Sequence, residues 1–180
     1  MRLTDLVAAT GSQANIRAAY SSGTPAIGVG MGNVVSIVDA SADLAEAARK
    51  IALSKAFDYA TSCSSENAVV ILAPVYEAML AELARQGGEM LDESGKSKLQ
   101  QLMFPAGRLA PVATAQSAQR IAKMAGLEAG EEVKFLMVRE SGVGPEHPFS
   151  GEKLSPVLAV YRAADFDEAC ALTARVYDYQ

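Results

Sequence analysis

The chain contains 180 residues with a formal net charge of −5; half of the residues are hydrophobic and 21% are charged. This is the composition of a folded globular protein of single-domain length, and it excludes disordered and fibrous classes. The acidic balance argues against a nucleic-acid partner, because phosphate binding needs clustered Lys and Arg. The apolar stretch 68–75 is too short to cross a bilayer, which argues against a membrane partner.

In chain order, hydrophobic periodicity predicts strands that alternate with helices. The predicted strands cover residues 3–9, 25–29, 34–38, 68–73, 133–138 and 156–161. The predicted helices cover 13–20, 42–57, 74–85, a short segment ending at Phe104, a segment from Thr114 or Ser117 to Gly126, and 165–177. Residues 92–98 form a polar connection, and 141–155 form the longest irregular stretch. This alternation predicts an α/β protein with a largely parallel sheet.

The turn Thr61-Ser62-Cys63-Ser64-Ser65 is the strongest chemical signal in the sequence. It places a thiol among small hydroxyl residues, between a helical pattern and the apolar run 68–73. A thiolate in such a turn can be reached and hydrogen-bonded. Cys63 is therefore a candidate nucleophile, although a structural role is an equally good interpretation of the turn alone. Cys170 lies in an amphipathic helical pattern, which predicts a small core residue.

Two glycine-containing loops are candidates for binding a phosphate group. Thr10-Gly11-Ser12 follows a predicted strand and opens a helix, whose N-terminus favours anions. Ser12 also fits the ordinary role of an N-cap. The loop from Gly28 to Gly32 superficially resembles a dinucleotide fingerprint, but a strand follows it instead of a helix. We interpret that loop as a tight turn in which backbone approaches a ligand or a side chain.

Other cysteine chemistries and metal binding are poorly supported. His147 is the single histidine and lies between prolines in a loop, where a surface role is common. A cysteine–histidine protease needs a histidine that lowers the thiol pKa. Two distant cysteines and one histidine also lack metal-ligand spacing, so we predict no metal site. Because the start of the chain shows no export signal, we expect reduced thiols in a cytoplasmic protein.

Three blocks of this sequence together resemble the CoA-acylating aldehyde dehydrogenases. Residues 9–33 are similar to the late cofactor-domain segment of that family. Ser54-Lys-Ala-Phe-Asp58 followed by Ser62-Cys63-Ser64-Ser65-Glu66 resembles its nucleophile region. Pro148-Phe-Ser-Gly-Glu-Lys-Leu-Ser-Pro-Val-Leu-Ala159 resembles its next signature block. The blocks occur in the family order and cover nearly the whole chain.

The resemblance implies a fold, an activity and a set of site residues. The fold would be a three-layer sandwich with a mostly parallel sheet, as in the catalytic domain of that family. Cys63 would attack a small aldehyde, the thiohemiacetal would pass hydride to NAD or NADP, and coenzyme A would then take the acyl group. Gly11, Ser12 and Gly30 would bind the cofactor, with Gly11 and Ser12 at its pyrophosphate. Glu152 would hold the nicotinamide ribose.

One departure bears on how the acyl group leaves Cys63. Hydrolytic aldehyde dehydrogenases carry a glutamate that activates water, and Val29 stands at that position here. Without a general base, a thiol acceptor is favoured over water. The alternatives are a hydrolytic enzyme that makes a carboxylate and an inactive truncated domain. Ala110 and Ala115 also replace an asparagine and a glycine of the family pattern, which affects local contacts.

The resemblance also predicts how the chain divides. Residues 1–28 would be the last strand–helix–strand of a cofactor-binding domain. Residues 29–180 would be the nucleophile domain without its C-terminal strands. We therefore expect weak NAD binding and little turnover by this chain alone, and a homo-oligomer for the full-length enzyme.

Overall fold

The computed structural model describes residues 2–30 and 32–179. It divides the chain into two compact units, Met1–Gly32 and Asn33–Gln180. This division falls four residues after the boundary predicted from the sequence. The origin of the smaller unit in a cofactor-binding domain stays a prediction. Met31, in the predicted glycine turn, lies outside the described residues.

The smaller unit consists of β1 (Val7–Thr10), α1 (Gln13–Tyr20) and β2 (Ala26–Val29), with the two strands paired in parallel. The helix bounds and its Ser12 N-cap are as predicted, whereas β1 begins at Val7 rather than residue 3. Gly28 lets the helix pack on β2, because a Cβ there would lie 3.0 Å from the Tyr20 ring. The Tyr20 hydroxyl accepts a hydrogen bond from the Gly28 amide at 3.0 Å.

The larger unit is a five-stranded, fully parallel sheet flanked by five helices. Its strands are β3 (Val34–Val38), β4 (Glu66–Leu72), β5 (Gly88–Met90), β6 (Phe135–Arg139) and β7 (Val157–Ala163). Its helices are α2 (Leu44–Ala56), α3 (Tyr76–Arg85), α4 (Glu93–Met103), α5 (Ala118–Met124) and α6 (Phe166–Asp178). The strand order is β3-β4-β7-β6-β5.

Helices cover both faces of this sheet, and each face has its own hydrophobic core. One core joins buried residues of α2 and α3 to the sheet, including Ile51 and Met79. The other joins α4, α5 and α6 to the opposite face, including Leu99 and Ile121. Residues 68–71 of β4 are completely inaccessible to solvent. This confirms the predicted three-layer α/β architecture and the doubly buried strand.

The sequence misplaced the region after α3. It missed β5, a three-residue edge strand that is too short to show periodicity. The polar stretch 92–98 is not a connection but the start of α4. Asp92 is its N-cap and accepts a hydrogen bond from the Gly95 amide at 2.7 Å. Gly95, Leu99 and Met103 form the buried inner face of this helix.

Two lysines lie inside the larger unit, at the edge where the parallel strands begin. Lys55 on α2 is 1% exposed, and its ammonium donates to the Ser155 carbonyl at 2.8 Å. Burial lowers the pKa of Lys55 to about 7, and the nearby Glu66 carboxylate opposes that shift. Lys153 is also inaccessible, and burial lowers its pKa as well. Both lysine side chains are tolerated inside the fold because backbone carbonyls accept hydrogen bonds from their nitrogen atoms.

The lowered pKa of Lys55 predicts a specific pH dependence of stability. Between the folded pKa of about 7 and the unfolded value of 10.5, the unfolded chain binds more protons, so the free energy of unfolding should rise with pH. The slope from one such group is at most about 1.4 kcal/mol per pH unit. In Lys55→Met this rise between pH 7 and 10 should be shallower, as measured by urea unfolding.

The matched control is Lys123→Met, which removes an exposed lysine of α5. That variant should keep the pH slope of the parent chain. Parallel pH profiles for Lys55→Met and the parent would contradict a buried Lys55 with a lowered pKa.

Candidate active site

The Cys63 turn is joined to α2 by a strained segment. Asp58, Tyr59 and Ala60 have φ angles of +47°, +52° and +56°. This left-handed region costs an L-residue roughly 1–2 kcal/mol. Three consecutive residues in it are unusual, and such strain concentrates at functional segments. The segment redirects the chain from the end of α2 into the turn that precedes β4.

Hydroxyl groups fix the conformation of the turn itself. The Thr61 hydroxyl donates to the Asp58 carbonyl at 2.9 Å and contacts the Asp58 carboxylate at 2.8 Å. The Ser62 and Ser64 hydroxyls bond to each other at 2.8 Å. The Ser65 amide closes the turn on the Ser62 carbonyl at 3.0 Å. These hydrogen bonds fix the backbone conformation around Cys63, whereas its thiol forms no disulfide and is exposed.

A cavity of about 370 Å³ adjoins the turn. Leu53 and Phe57 of the preceding segment form its apolar wall, and Ser62, Ser64 and Ser65 supply hydroxyl groups. Such a combination of an apolar wall and a few polar groups is typical of small-molecule sites. Cys63 itself does not line this cavity, but Ser62 and Ser64, its two neighbours in the turn, do.

Glu152 lies at the same edge of the sheet as Cys63. The turn leads into β4, the loop around Glu152 leads into β7, and these two strands are parallel neighbours. The Asn67 side chain, at the start of β4, accepts a hydrogen bond from the Lys153 amide at 3.0 Å. Partial burial raises the pKa of the Glu152 carboxyl, and Lys153 opposes that shift. The structure thus brings the nucleophile turn and this carboxylate to one edge.

The remaining predicted cofactor residues all belong to the smaller unit. Gly11 has a φ of +123°, a conformation that favours glycine, and precedes the start of α1. The Ser12 hydroxyl caps the helix by accepting from the Asn15 amide at 3.3 Å. Gly30 lies close to Gln13, because a Cβ at residue 30 would be 3.2 Å from the Gln13 amide nitrogen. Their binding of a cofactor phosphate at the start of α1 stays a prediction.

Two sequence interpretations need correction. Cys170 is exposed on α6 and is not a core residue. His147 is half-buried and not a simple surface residue, since its Nδ1 lies 2.8 Å from the Glu140 carboxylate. Glu140 is almost inaccessible and also pairs with Lys96 at 3.1 Å. Sequence reasoning missed this cluster because Glu140 and His147 lie in an irregular stretch and Lys96 comes from a distant helix, so only the fold joins the three.

Two further features are absent from the residues that the structure describes. No helix among them is long and apolar enough to cross a membrane. Within the same residues, no three side chains of His, Cys, Asp or Glu form a group that could hold a metal ion.

Comparison with known proteins gives sequence relatives, although no protein-family model matches the chain. A sulfoacetaldehyde dehydrogenase (acylating) from Cupriavidus necator is 57% identical over 181 residues. The match covers 99% of this chain but 37% of that enzyme. The chain therefore spans somewhat more than a third of this curated relative.

Solved structures agree with the fold. An acetylating aldehyde dehydrogenase from Geobacillus thermoglucosidasius superposes with a TM-score of 0.95 at 42% identity, over 98% of this chain and 39% of that protein. A propionaldehyde dehydrogenase from Rhodopseudomonas palustris, with bound CoA and an acylated cysteine, superposes with a TM-score of 0.88 at 26% sequence identity. An engineered glycolyl-CoA reductase with bound NADP+ also superposes with a TM-score of 0.88 at 26% sequence identity. Each of these last two matches covers 96% of this chain and 39% of the other protein.

The sequence relative and the structures agree on one group of enzymes. The three blocks identified in the sequence lie within the matched region, which extends over nearly the whole chain. The parallel sheet with helices on both faces is the fold of that region in the acetylating enzyme. Over nearly its whole length this chain is homologous to CoA-acylating aldehyde dehydrogenases, and it corresponds to about two fifths of the length of the sulfoacetaldehyde and acetylating enzymes compared above.

Proposed function

We propose that this chain carries the acyl-transfer site of an enzyme that oxidises a small aldehyde to its acyl-CoA. The observation that supports this most directly is the exposed thiol of Cys63, held in a strained, hydroxyl-lined turn beside a cavity. Glu152 lies at the same sheet edge, in the loop that leads into the neighbouring strand. The whole reaction converts an aldehyde, an oxidised nicotinamide cofactor and CoA thiol into acyl-CoA, the reduced cofactor and a proton.

Cys63 takes part in each covalent step of the proposed reaction. Its thiolate forms a bond to the aldehyde carbon, and the resulting alkoxide is that of a thiohemiacetal. Loss of hydride from this carbon leaves a thioester on Cys63. The CoA thiol then attacks the thioester carbonyl, and the bond to Cys63 sulfur breaks as the thiolate leaves. Cys63 thereby returns to its starting form.

NAD or NADP would supply the hydride acceptor for this oxidation. In the smaller unit, Gly11 and Ser12 at the start of α1 would bind its pyrophosphate, and Gly30 would contact it. In the larger unit, Glu152 would accept hydrogen bonds from the ribose hydroxyls. Its carboxylate has no hydrogen-bond partner among the residues the structure describes, so it is free for this role. A homo-oligomer and a cytoplasmic location stay predictions.

Sulfoacetaldehyde is the first substrate to test, because the 57% identical relative is a sulfoacetaldehyde dehydrogenase. Lys50 and four serines line the cavity beside the turn, which suits a small aldehyde with an anionic or polar end. Val29, in place of the hydrolytic glutamate, supports CoA over water as the acyl acceptor. Formation of the free acid at the same rate with and without CoA would contradict this preference and favour the hydrolytic alternative.

Transfer of an acyl group from acyl-CoA back to Cys63, the reverse of the final step, tests the nucleophile without any nicotinamide cofactor. Incubation of the chain with acetyl-CoA should place one acetyl group on Cys63, because thioester exchange between thiols is readily reversible. Cys63→Ser should abolish this adduct, and Cys170→Ser should retain it. Mass spectrometry of the intact chain and of its peptides provides the measurement. Equal acetylation of both exposed cysteines would favour an inactive domain.

Substitution of Glu152 should separate acyl transfer from hydride transfer. In the full-length protein, Glu152→Gln should lower the rate of cofactor reduction by about tenfold or more, since a hydrogen bond to a charged group is worth about 1.5–3 kcal/mol. The exchange of acetyl groups between CoA and Cys63 should change less than about twofold. Exchange followed by mass spectrometry and reduction followed by absorbance give the two rates.

The control for this comparison is Glu128→Gln, a change at an exposed carboxylate outside the proposed site. It should leave both rates unchanged. If Glu152→Gln also leaves both rates unchanged, Glu152 does not contact the cofactor.

A further inference from the structure

The loop that carries Glu152 is held through its backbone by buried side chains. Within residues 149–155, four carbonyl groups accept hydrogen bonds from side-chain nitrogens. These bonds are Lys153 Nζ to Phe149 O at 2.7 Å, Lys153 Nζ to Gly151 O at 2.9 Å, Asn33 Nδ2 to Ser150 O at 2.6 Å and Lys55 Nζ to Ser155 O at 2.8 Å. An irregular loop normally directs such carbonyls to water.

A fifth bond joins the same loop to the nucleophile strand. The amide of Lys153 donates to the Asn67 side-chain oxygen at 3.0 Å. Asn67 lies four residues after Cys63, at the start of β4. The backbone adjacent to Glu152 is therefore fixed directly to the segment that follows the nucleophile turn.

The four side chains that make these hydrogen bonds are buried, so they cannot replace the loop with water as a partner without a large rearrangement. Asn33 and Asn67 are each 4% exposed, Lys55 is 1% exposed and Lys153 is completely inaccessible. A buried amide or ammonium that loses its partner costs several kcal/mol. Displacement of the loop would leave several such groups unpaired at once, so one loop conformation is strongly favoured.

The Glu152 side chain takes no part in this arrangement of hydrogen bonds. Its neighbours Gly151 and Lys153 are both fixed through backbone groups, whereas its carboxylate is half-buried and has no hydrogen-bond partner within the described part of the chain. A carboxylate on an immobile backbone loses little entropy when it binds a ligand. The four anchoring side chains thus prepare Glu152 for binding.

We propose that Asn33, Lys55, Asn67 and Lys153 are positioning residues, which hold Glu152 at a fixed place relative to Cys63. The proposal rests on the proposed function, because it assumes that Glu152 meets the cofactor at the site where Cys63 carries the acyl group. None of the four residues needs to touch the substrate or the cofactor. Their effect passes through the backbone of residues 149–155.

The test substitutes Asn67, because its side-chain oxygen, which accepts the hydrogen bond from the Lys153 amide, can be removed or retained. Asn67→Leu has a similar shape but cannot accept from the Lys153 amide, whereas Asn67→Asp keeps an acceptor oxygen. Lys98→Met, a change at an exposed lysine of α4, is the control for general destabilisation. All variants are made in the 180-residue chain.

The first measurement is amide hydrogen exchange. In Asn67→Leu, the amides of residues 150–153 should exchange at least about tenfold faster, which corresponds to about 1.4 kcal/mol, while those of β4 and β7 should not change. Asn67→Asp and Lys98→Met should retain the slow exchange of the parent. Unchanged loop exchange in Asn67→Leu would overturn the proposal, and equal acceleration throughout the sheet would reduce the role of Asn67 to stability.

The second measurement is the pKa of Glu152, followed by carbon NMR of labelled glutamate with Glu152→Gln to assign its signal. Partial burial raises this pKa in the parent. In Asn67→Leu the released loop should hydrate the carboxylate and return its pKa towards the ordinary value of 4.5, whereas Asn67→Asp should keep it raised. A pKa in Asn67→Leu equal to that of the parent would show that the anchors do not position the carboxylate.

A third measurement, acetyl exchange from acetyl-CoA onto Cys63, distinguishes a failure of the positioning proposal from a failure of the proposed function. Asn67→Leu should keep the exchange rate of the parent within about twofold, since Cys63 needs no help from Glu152 in that step. Absence of exchange in the parent itself would contradict the proposed function, whereas the loop measurements would still decide whether the anchors fix Glu152. A parent that exchanges acetyl groups but has a mobile 149–153 loop would contradict only the positioning proposal.

Discussion

The parallel pairing of β4 with β7 is the constraint on which the rest of the larger unit depends. Parallel neighbours start at the same edge of a sheet, so the segments that precede them are brought together. The Cys63 turn precedes β4 and the Glu152 loop precedes β7. The register Ala68↔Ala159 fixes how far each segment reaches beyond the sheet. A slip of one residue would separate the thiol from the carboxylate and disrupt both cores.

This edge is chemically different from the interior of the sheet. The strands are held by two apolar cores, in which residues such as Val70 and Leu158 are inaccessible. At the edge, by contrast, two ammonium groups and two amide side chains are buried. Apolar burial stabilises the fold at roughly 25 cal/mol per Å², whereas buried polar groups at best offset their own desolvation. The polar edge therefore contributes little to stability and is better explained by the precise loop conformation it specifies.

Strain and rigidity occur at two separate places in the candidate site. The left-handed segment from Asp58 to Ala60 leads into the Cys63 turn, and hydroxyl bonds hold that turn in place. The Glu152 loop has less backbone strain but many more buried hydrogen bonds. A nucleophile that must form and break bonds to carbon needs accessibility, and Cys63 is exposed. A carboxylate that only binds needs a fixed position, and the buried anchors of residues 149–155 provide it.

The sequence alone determined the α/β class, most element bounds and the candidate nucleophile, because hydrophobic periodicity and short motifs are local properties of the chain. It missed β5 and the first turns of α4, since a three-residue strand and a polar-faced helix give little periodic signal. It also misjudged Cys170 and could not detect the anchoring role of Lys55, whose partner lies a hundred residues away. Such contacts depend on strand order and register, which only the tertiary structure decides, because they join segments that have no relation in sequence.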